Sequence, residues 1–229
     1  MTHPSLDQRL QRTLPRGRLA ATRPAGCPAI VLSLFDPAAL AGPLSHDEAQ
    51  AVQAQPAYWS FCWASGQVLA RYLLDNPAWV AGRRVIDVGC GSGVVAIAAA
   101  LAGAREVVAC DLDESALAAA HVNAALNGVS LVFCNDWTAK SGSFDLVTAA
   151  DVLYDRDNLG LLDGFANAAP TVLLADSRIR DLAHPRYALM TEGEARTWPD
   201  LHEFEEFNRV RIYRAGDPPV APSHLGEDR

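Results

Sequence analysis

Between Arg84 and Asp176, short β-branched runs alternate with longer alanine-rich stretches whose apolar positions recur at helical spacing. Continuously apolar runs suit strands buried on both faces. The alternation therefore predicts an α/β fold, a Rossmann-like parallel sheet with helices on both faces. Strands are expected near Arg84–Val88, Glu106–Asp111, Leu131–Cys134, Phe144–Ala149 and Thr171–Ala175, and helices near Val94–Leu101, Ser115–Asn127 and Asn158–Ala168. Asn127-Gly128 ends the second of these helices as a C-cap does. Ahead of this region, Trp59 to Leu74 keeps helical spacing and stops at Asp75-Asn76-Pro77. Behind it, Tyr187–Met190 and Arg209–Tyr213 read as strands, the second alternating Arg209, Val210, Arg211, Ile212. They are expected as an antiparallel pair at the sheet edge with the arginines facing water.

The first strand runs into Asp87-Val-Gly89-Cys-Gly91-Ser-Gly93 and then into the helix at Val94. Strand, glycine turn and helix N-terminus together make a cradle where a ligand can lie against bare backbone. A dinucleotide fingerprint would be Gly-x-Gly-x-x-Gly, its third glycine one position later. The Asp-x-Gly-x-Gly-x-Gly pattern instead resembles motif I of the class I methyltransferases, which bind S-adenosylmethionine, a cofactor without phosphate. An acid in the turn suits an amino group and a sulfonium and would repel a pyrophosphate. The next strand ends in Asp111, followed by Leu112, at about the distance where such folds hold a ribose through its hydroxyls. The resemblance implies cofactor contacts from Asp87, Gly89, Gly91, Gly93, Asp111 and Leu112.

Half of the 229 residues are apolar, ample for one core, and no internal repeat or linker divides the chain. One methyltransferase domain is expected over 28–215, after an N-terminal segment 1–27 that could be flexible and before a Pro/Gly-rich tail 216–229. No apolar run reaches the ~18 residues of a membrane span, so no membrane partner is expected. The net charge of −8 argues against a nucleic-acid substrate and favours a basic protein segment. Five cysteines without Cys-x-x-Cys spacing suggest neither disulfides nor zinc, and the six scattered histidines imply no metal. Arg9, Arg12, Arg16, Arg18 and Arg23 superficially resemble a transit peptide. Lys140 is the only lysine of the chain, however, so the bias reads as a GC-rich bacterial coding habit. A reducing cytoplasm fits. No sequence signal fixes an oligomeric state.

The strand at Phe144 delivers Asp151-Val-Leu-Tyr154 at its carboxyl end, where open α/β sheets place their active sites. Asn-Pro-Pro-Tyr here would suggest methylation of a planar amide or base nitrogen. Asp-x-x-Tyr suits a cationic amine, because Asp151 can pair with a lysine ammonium as it is desolvated. Tyr154 could add a wall or a hydroxyl contact; alternatively, Asp151 caps the following turn. Asn135-Asp136-Trp137 offers Asp136 to an adenine amine, with Trp137 stacking or filling space. Trp63-Ala-Ser-Gly66 could close over the cofactor.

Tyr58-Trp-Ser-Phe-Cys-Trp63-Ala-Ser-Gly66-Gln67, continued by Leu69 to Pro77, resembles the opening of the family 16 protein methyltransferases, in particular the electron transfer flavoprotein β-subunit lysine methyltransferases. Ala150-Asp-Val-Leu-Tyr-Asp155 is similar to that family's Asp-x-x-Phe/Tyr signature. The resemblance covers about Pro28 to Asp176. It implies seven strands with the last antiparallel, and methyl transfer to protein lysines, with Asp136 on the cofactor and Asp151 and Tyr154 on the substrate. The Arg-rich start and the stretch Asp36 to Pro56 match no pattern of the family, and substrate choice is expected there. A ribosomal-protein lysine or amine methyltransferase, a small-molecule methyltransferase and a non-catalytic cofactor-binding module are the competing readings.

Overall fold

Strand β3 (Arg84–Val88) lies inside a seven-stranded sheet, between the strands Glu106–Cys110 and Leu146–Ala150, with Val85, Ile86 and Val88 burying apolar side chains on both faces. The computed structural model describes residues 5–40, 42–138 and 143–218. In chain order the elements are α1 (Leu6–Leu10), β1 (Leu19–Thr22), β2 (Leu32–Phe35), α2 (His46–Ala54), α3 (Ala64–Asp75), β3, α4 (Val94–Leu101), β4 (Glu106–Cys110), α5 (Glu114–Leu126), β5 (Val132–Cys134), β6 (Leu146–Ala150), α6 (Leu161–Ala168), β7 (Thr171–Asp176), β8 (Tyr187–Glu194) and β9 (Arg209–Ala215). The sheet order is β5-β4-β3-β6-β7-β9-β8. Strands β3 to β7 are parallel, whereas β9 runs antiparallel to both β7 and β8. The chain steps outward from β3 to β4 and β5, then resumes on the other side at β6, leaving a topological switch point between β3 and β6.

Alternate side chains divide the core into two layers. Val85, Val107, Leu146 and Leu173 face α3 and α4 with Leu69, Leu73 and Ile97, while Ile86, Val108, Val147 and Leu174 face α6 with Leu162 and Phe165. All of these are essentially buried. This agrees with the predicted sheet, helices on both faces and an antiparallel C-terminal strand. The C-terminal pair does occupy that edge, with β8 outermost. Arg211 is packed rather than solvated, its Nε bridging to Glu192 at 3.2 Å, and Arg209 reaches the same carboxylate.

Two local expectations change. The predicted helix over Trp59–Leu74 begins only at Ala64, and Tyr58–Ser60 forms a 3-10 turn instead. Cys62 exchanges both backbone hydrogen bonds with Trp198, at 2.7 and 2.8 Å, so the chain is extended there and cannot be helical. Within the expected N-terminal segment 1–27, residues 5–27 carry defined elements. A capping box between Ser5 and Gln8 opens α1, Asp7 Oδ1 accepts the Leu19 N–H at 2.8 Å, and β1 pairs with β2. Leu6 and Leu10 bury against Trp59, Ala116 and Ala119. The predicted tail lies outside the described residues from 219 onward. In the stretch Asp36 to Pro56, α2 buries no residue and is tethered by a bidentate Arg16–Glu48 pair at 2.8 Å on each bond. That bond to Arg16 is the main cause holding the Glu48 carboxyl down to about 2. Among the described residues, no helix is long and apolar enough to cross a membrane.

Gln67, buried on α3, ties two distant segments and the chain just ahead of its own helix to one point. Its Nε2 donates to the Cys62 and Arg196 carbonyls at 2.8 and 2.6 Å, and its Oε1 accepts the Gly26 N–H at 3.0 Å. Gln67→Leu leaves the Gly26 N–H and the Arg196 carbonyl without this partner, while the Cys62 carbonyl keeps the Trp198 N–H, and should lower unfolding stability by about 2–4 kcal/mol in urea titration. A loss under about 0.5 kcal/mol would mean that the three segments are held by other contacts.

Candidate functional site

The carboxyl ends of β3, β4 and β6 open onto one hollow of about 700 Å³ at the switch point, a size suited to a nucleoside-sized ligand plus a side chain. One side of it is the glycine turn. Gly89 and Gly91 line it, and the Gly91 N–H donates to Asp111 Oδ2 at 2.9 Å. Asp111 Oδ1 accepts the Asp113 N–H at 3.0 Å, which fixes the carboxylate while leaving lone pairs toward the hollow. Burial raises the Asp111 carboxyl above its ordinary value, opposed by these backbone N–H groups. Leu112 is 90% exposed and forms an apolar ledge beside it. Asn135 and Trp137 close this end; Trp137 leans on α6, 5.2 Å from the Phe165 ring.

The opposite side is aromatic and acidic. Tyr58, Trp63, Asp151 and Tyr154 line it, with the Tyr58 ring 5.8 Å from Trp63 and 6.1 Å from Tyr154. Asp151 ends β6 in the left-handed region, φ 52, which is uncommon for a residue with a side chain. Its Oδ1 accepts from Ser65 Oγ at 2.7 Å, Ser177 Oγ at 2.9 Å and the Ser177 N–H at 3.2 Å. Its Oδ2 accepts only the Ser65 N–H at 3.3 Å, so that oxygen keeps capacity for a donor from the hollow. Burial pushes the Asp151 carboxyl upward, and the two serines counter it. Tyr154 is 63% exposed and forms the rim.

Asp87, Gly93, Asp136 and Gly66 do not line the hollow. Asp87 is buried beneath the glycine turn, its Oδ1 accepting from Thr148 Oγ1 at 2.9 Å. Burial raises its carboxyl to about 7, against the Thr148 bond and a backbone bond from Ala96, while Asp111 adds like-charge repulsion. Gly93 is the left-handed N-cap of α4, φ 83, and a Cβ there would meet Ala120 Cβ at 2.9 Å, so it serves helix packing. Gly66 similarly brings α3 against Val94, 3.0 Å from where its Cβ would stand. Asp136 is turned onto Thr138, whose N–H and hydroxyl it accepts at 2.8 and 2.6 Å; Asn135 faces the hollow in its place. Trp63 is the N-cap of α3, outside the helix expected to carry it, and its indole N–H donates to the Tyr58 carbonyl at 3.1 Å.

The sequence pattern did not single out Ser65, Ser177, Asn158 or Arg178 as site residues. Asn158 Nδ2 donates to the Val152 carbonyl at 2.9 Å and pins the loop after Asp151. Ser177 and Arg178 follow β7 directly, so the carboxyl-end rule could have found them. Ser65 meets Asp151 across 86 positions, and no local spacing announces that.

The sheet order, with its antiparallel β9 and the hollow at the switch point, defines the class I methyltransferase fold. The family model for ribosomal protein L11 methyltransferase matches residues 70–155. The chain is 40% identical over 127 residues to the electron transfer flavoprotein β-subunit lysine methyltransferase of Mus musculus, covering 52% of this chain and 50% of that one. It is 44% identical over 110 residues to the Danio rerio protein of the same description, covering 47% and 42%. The chain thus spans about half the length, or less, of these curated relatives. Among solved structures, magnesium protoporphyrin IX methyltransferase from Synechocystis PCC 6803, with bound SAM, aligns with TM-score 0.50 and 21% identity over 77% of this chain and 86% of that one. Ribosomal protein L11 methylase from Lactobacillus delbrueckii subsp. bulgaricus aligns with TM-score 0.50 and 24% identity over 67% and 79%.

The raised Asp87 carboxyl has a stability signature. Its folded-state value lies above that of the unfolded chain, so its favourable share is complete below pH ~4 and is lost as pH climbs through about 7. Asp87→Asn should therefore change the ligand-free melting temperature least near pH ~4 and raise it increasingly relative to the parent up to pH ~8. A variant-minus-parent difference that stays constant across that interval would contradict the buried, reluctant ionisation.

Proposed function

We propose that this chain is an S-adenosylmethionine-dependent protein-lysine N-methyltransferase acting on the electron transfer flavoprotein β subunit. The observation that carries the reading is Asp151, an acid braced by Ser65 and Ser177 with one oxygen open to a hollow walled by aromatic rings. The 40% identity to a lysine methyltransferase supports the same assignment.

The residues of the hollow fit the cofactor's chemistry. Asp111 offers open carboxylate lone pairs to a ribose diol, Leu112 and Trp137 offer apolar surface to a base, and acids predominate where a pyrophosphate site would need donors. Bound there, S-adenosylmethionine supplies an electrophilic methyl on its sulfonium. Asp87 shapes the glycine turn from below, and Gly89 and Gly91 give the ligand bare backbone. On the other side, Asp151 Oδ2 accepts from the incoming ammonium, and the Tyr58, Trp63 and Tyr154 rings replace its water with π faces that favour a cation. A lysine with its ordinary value of about 10.4 must shed a proton before its lone pair can attack. Desolvation and like-charge repulsion from a bound sulfonium would lower that value against the pull of Asp151 and the rings, the proton would leave to solvent past the exposed Tyr154 rim, and Asp151 would keep the nitrogen in line.

We assign one catalytic domain to residues 28–215, with residues 5–27 as a cover over α5. A bacterial, reducing cytoplasm agrees with the arginine-for-lysine bias and with cysteines that are all free. The net charge of −8 speaks for a protein substrate over nucleic acid. The family match over 70–155 favours ribosomal protein L11 as the second substrate to try.

Incubation with labelled cofactor and either purified protein, followed by peptide mass spectrometry, tests the reading. Methyl-lysine on the flavoprotein subunit is expected; label only on the ribosomal protein would move the assignment there, and label on neither would overturn it. Asp151→Asn should lower kcat/KM by on the order of 30- to 100-fold, the worth of a hydrogen bond to a charged group, while cofactor affinity changes less than about threefold. Full activity in that variant would remove Asp151 from the site.

A further inference from the structure

Arg178 is the one cationic side chain among the described residues lining the hollow, whose charged wall otherwise consists of Asp111, Asp113 and Asp151. It stands next to Ser177, which grips Asp151, and so belongs to the amine side of the hollow. Its position is set from three directions. The Arg178 and Ile179 N–H groups both donate to Asp176 Oδ1, at 2.8 and 2.7 Å, which fixes the turn after β7. The guanidinium lies 4.4 Å over the Phe207 ring, and its Nη2 donates to Glu203 Oε1 at 2.6 Å. Glu203 is itself held, its Oε2 accepting from Thr197 Oγ1 at 2.6 Å. A planar fork stacked on a ring and gripped along one edge loses little freedom on taking a second carboxylate with its remaining N–H groups. The partly exposed Glu203 pair is a weak competitor for that role.

Resting on the proposed lysine methyltransferase activity, we infer that Arg178 determines specificity by reading an acidic residue adjacent to the target lysine. A chain of net charge −8 with an acidic hollow repels a carboxylate over most of its surface. A single fixed cation at the rim makes an acid acceptable at one place beside the lysine and costly elsewhere. The preferred substrate is then a lysine in a segment with one neighbouring Asp or Glu, rather than one in a wholly basic run.

The test uses the full chain and lysine peptides carrying Asp or Asn at each position flanking the lysine. Transfer rates are followed, together with peptide Kd by calorimetry with S-adenosylhomocysteine bound. The parent should prefer Asp over Asn about tenfold in kcat/KM at one flanking position, and Arg178→Ala should abolish that preference. Glu203→Gln, which leaves the backbone undisturbed and frees the guanidinium, should enlarge it, and this variant decides the matter if Arg178→Ala does not fold. Transfer without discrimination by the parent, or discrimination that survives in Arg178→Ala, overturns the inference alone. So does a weakened cofactor Kd in Arg178→Ala with unchanged peptide preference, which would assign the guanidinium to the cofactor's carboxylate. A parent that neither binds nor methylates any lysine peptide overturns the underlying activity as well.

Discussion

Strands β3 and β6 lie side by side and parallel, yet the chain leaves one toward β4 and the other toward β7. The loops at their carboxyl ends therefore diverge and cannot cover the gap between them, and the hollow occupies it. Each loop brings what its strand dictates. From β3 comes a glycine turn that presents backbone without side chains at Gly89 and Gly91, its N–H groups held by the Cys110 carbonyl and Asp111; from β6 comes Asp151, in the left-handed region at φ 52. The remaining site residues are placed by neighbours of these two strands, Asp111 by β4 and Ser177 by β7. A shift in the β3–β6 register would displace one half of the site against the other.

The second constraint is electrostatic. Asp87, Asp111, Asp151 and Asp176 cluster at the carboxyl ends of β3, β4, β6 and β7, and burial raises all four, to about 7 for Asp87 and about 6 for Asp176. Backbone N–H groups and hydroxyls offset the desolvation in part, yet Asp176 Oδ2 is buried without a partner among the described residues. Such an arrangement costs stability in the empty protein and is relieved by positive charge brought from outside. Under the proposed activity, a sulfonium and an ammonium entering from opposite sides would supply that charge. The same wall that disfavours the empty state therefore favours the occupied one.

Sequence pattern reached the sheet, its helices and most of the hollow. The reason is that parallel strands are marked by continuous apolar runs, and the glycine turn by residue types few other structures require. The start of α3 was not legible, because the bridge between Cys62 and Trp198 joins positions 136 apart in the chain and overrides helical spacing. Motif matching placed Asp87, Gly93, Gly66 and Asp136 at the cofactor; none of the four is among the residues lining the hollow, Asp87 being bonded to Thr148, Gly93 and Gly66 allowing close helix contacts, and Asp136 being turned onto Thr138. A motif records which residues are needed, without separating contact with a ligand from support of the backbone that makes contact. Ser5-x-x-Gln8 was readable as a capping box, and Leu6 and Leu10 as its apolar face, so the order of the first turn of chain was available in the sequence.

The bracing of Asp151 explains why a strained residue stands at the reacting end. A left-handed, non-glycine conformation costs about 1–3 kcal/mol and persists only where its surroundings over-determine it. Here α3 contributes Ser65 and the turn after β7 contributes Ser177, so the carboxylate is fixed from two elements that do not contact it through its own strand. Satisfying Oδ1 threefold leaves Oδ2 as the one oxygen with room for a new donor. The bracing thus leaves a single oxygen with spare acceptor capacity on a residue that lines the aromatic hollow, and under the proposed activity that one acceptor would orient an amine with respect to the glycine turn opposite.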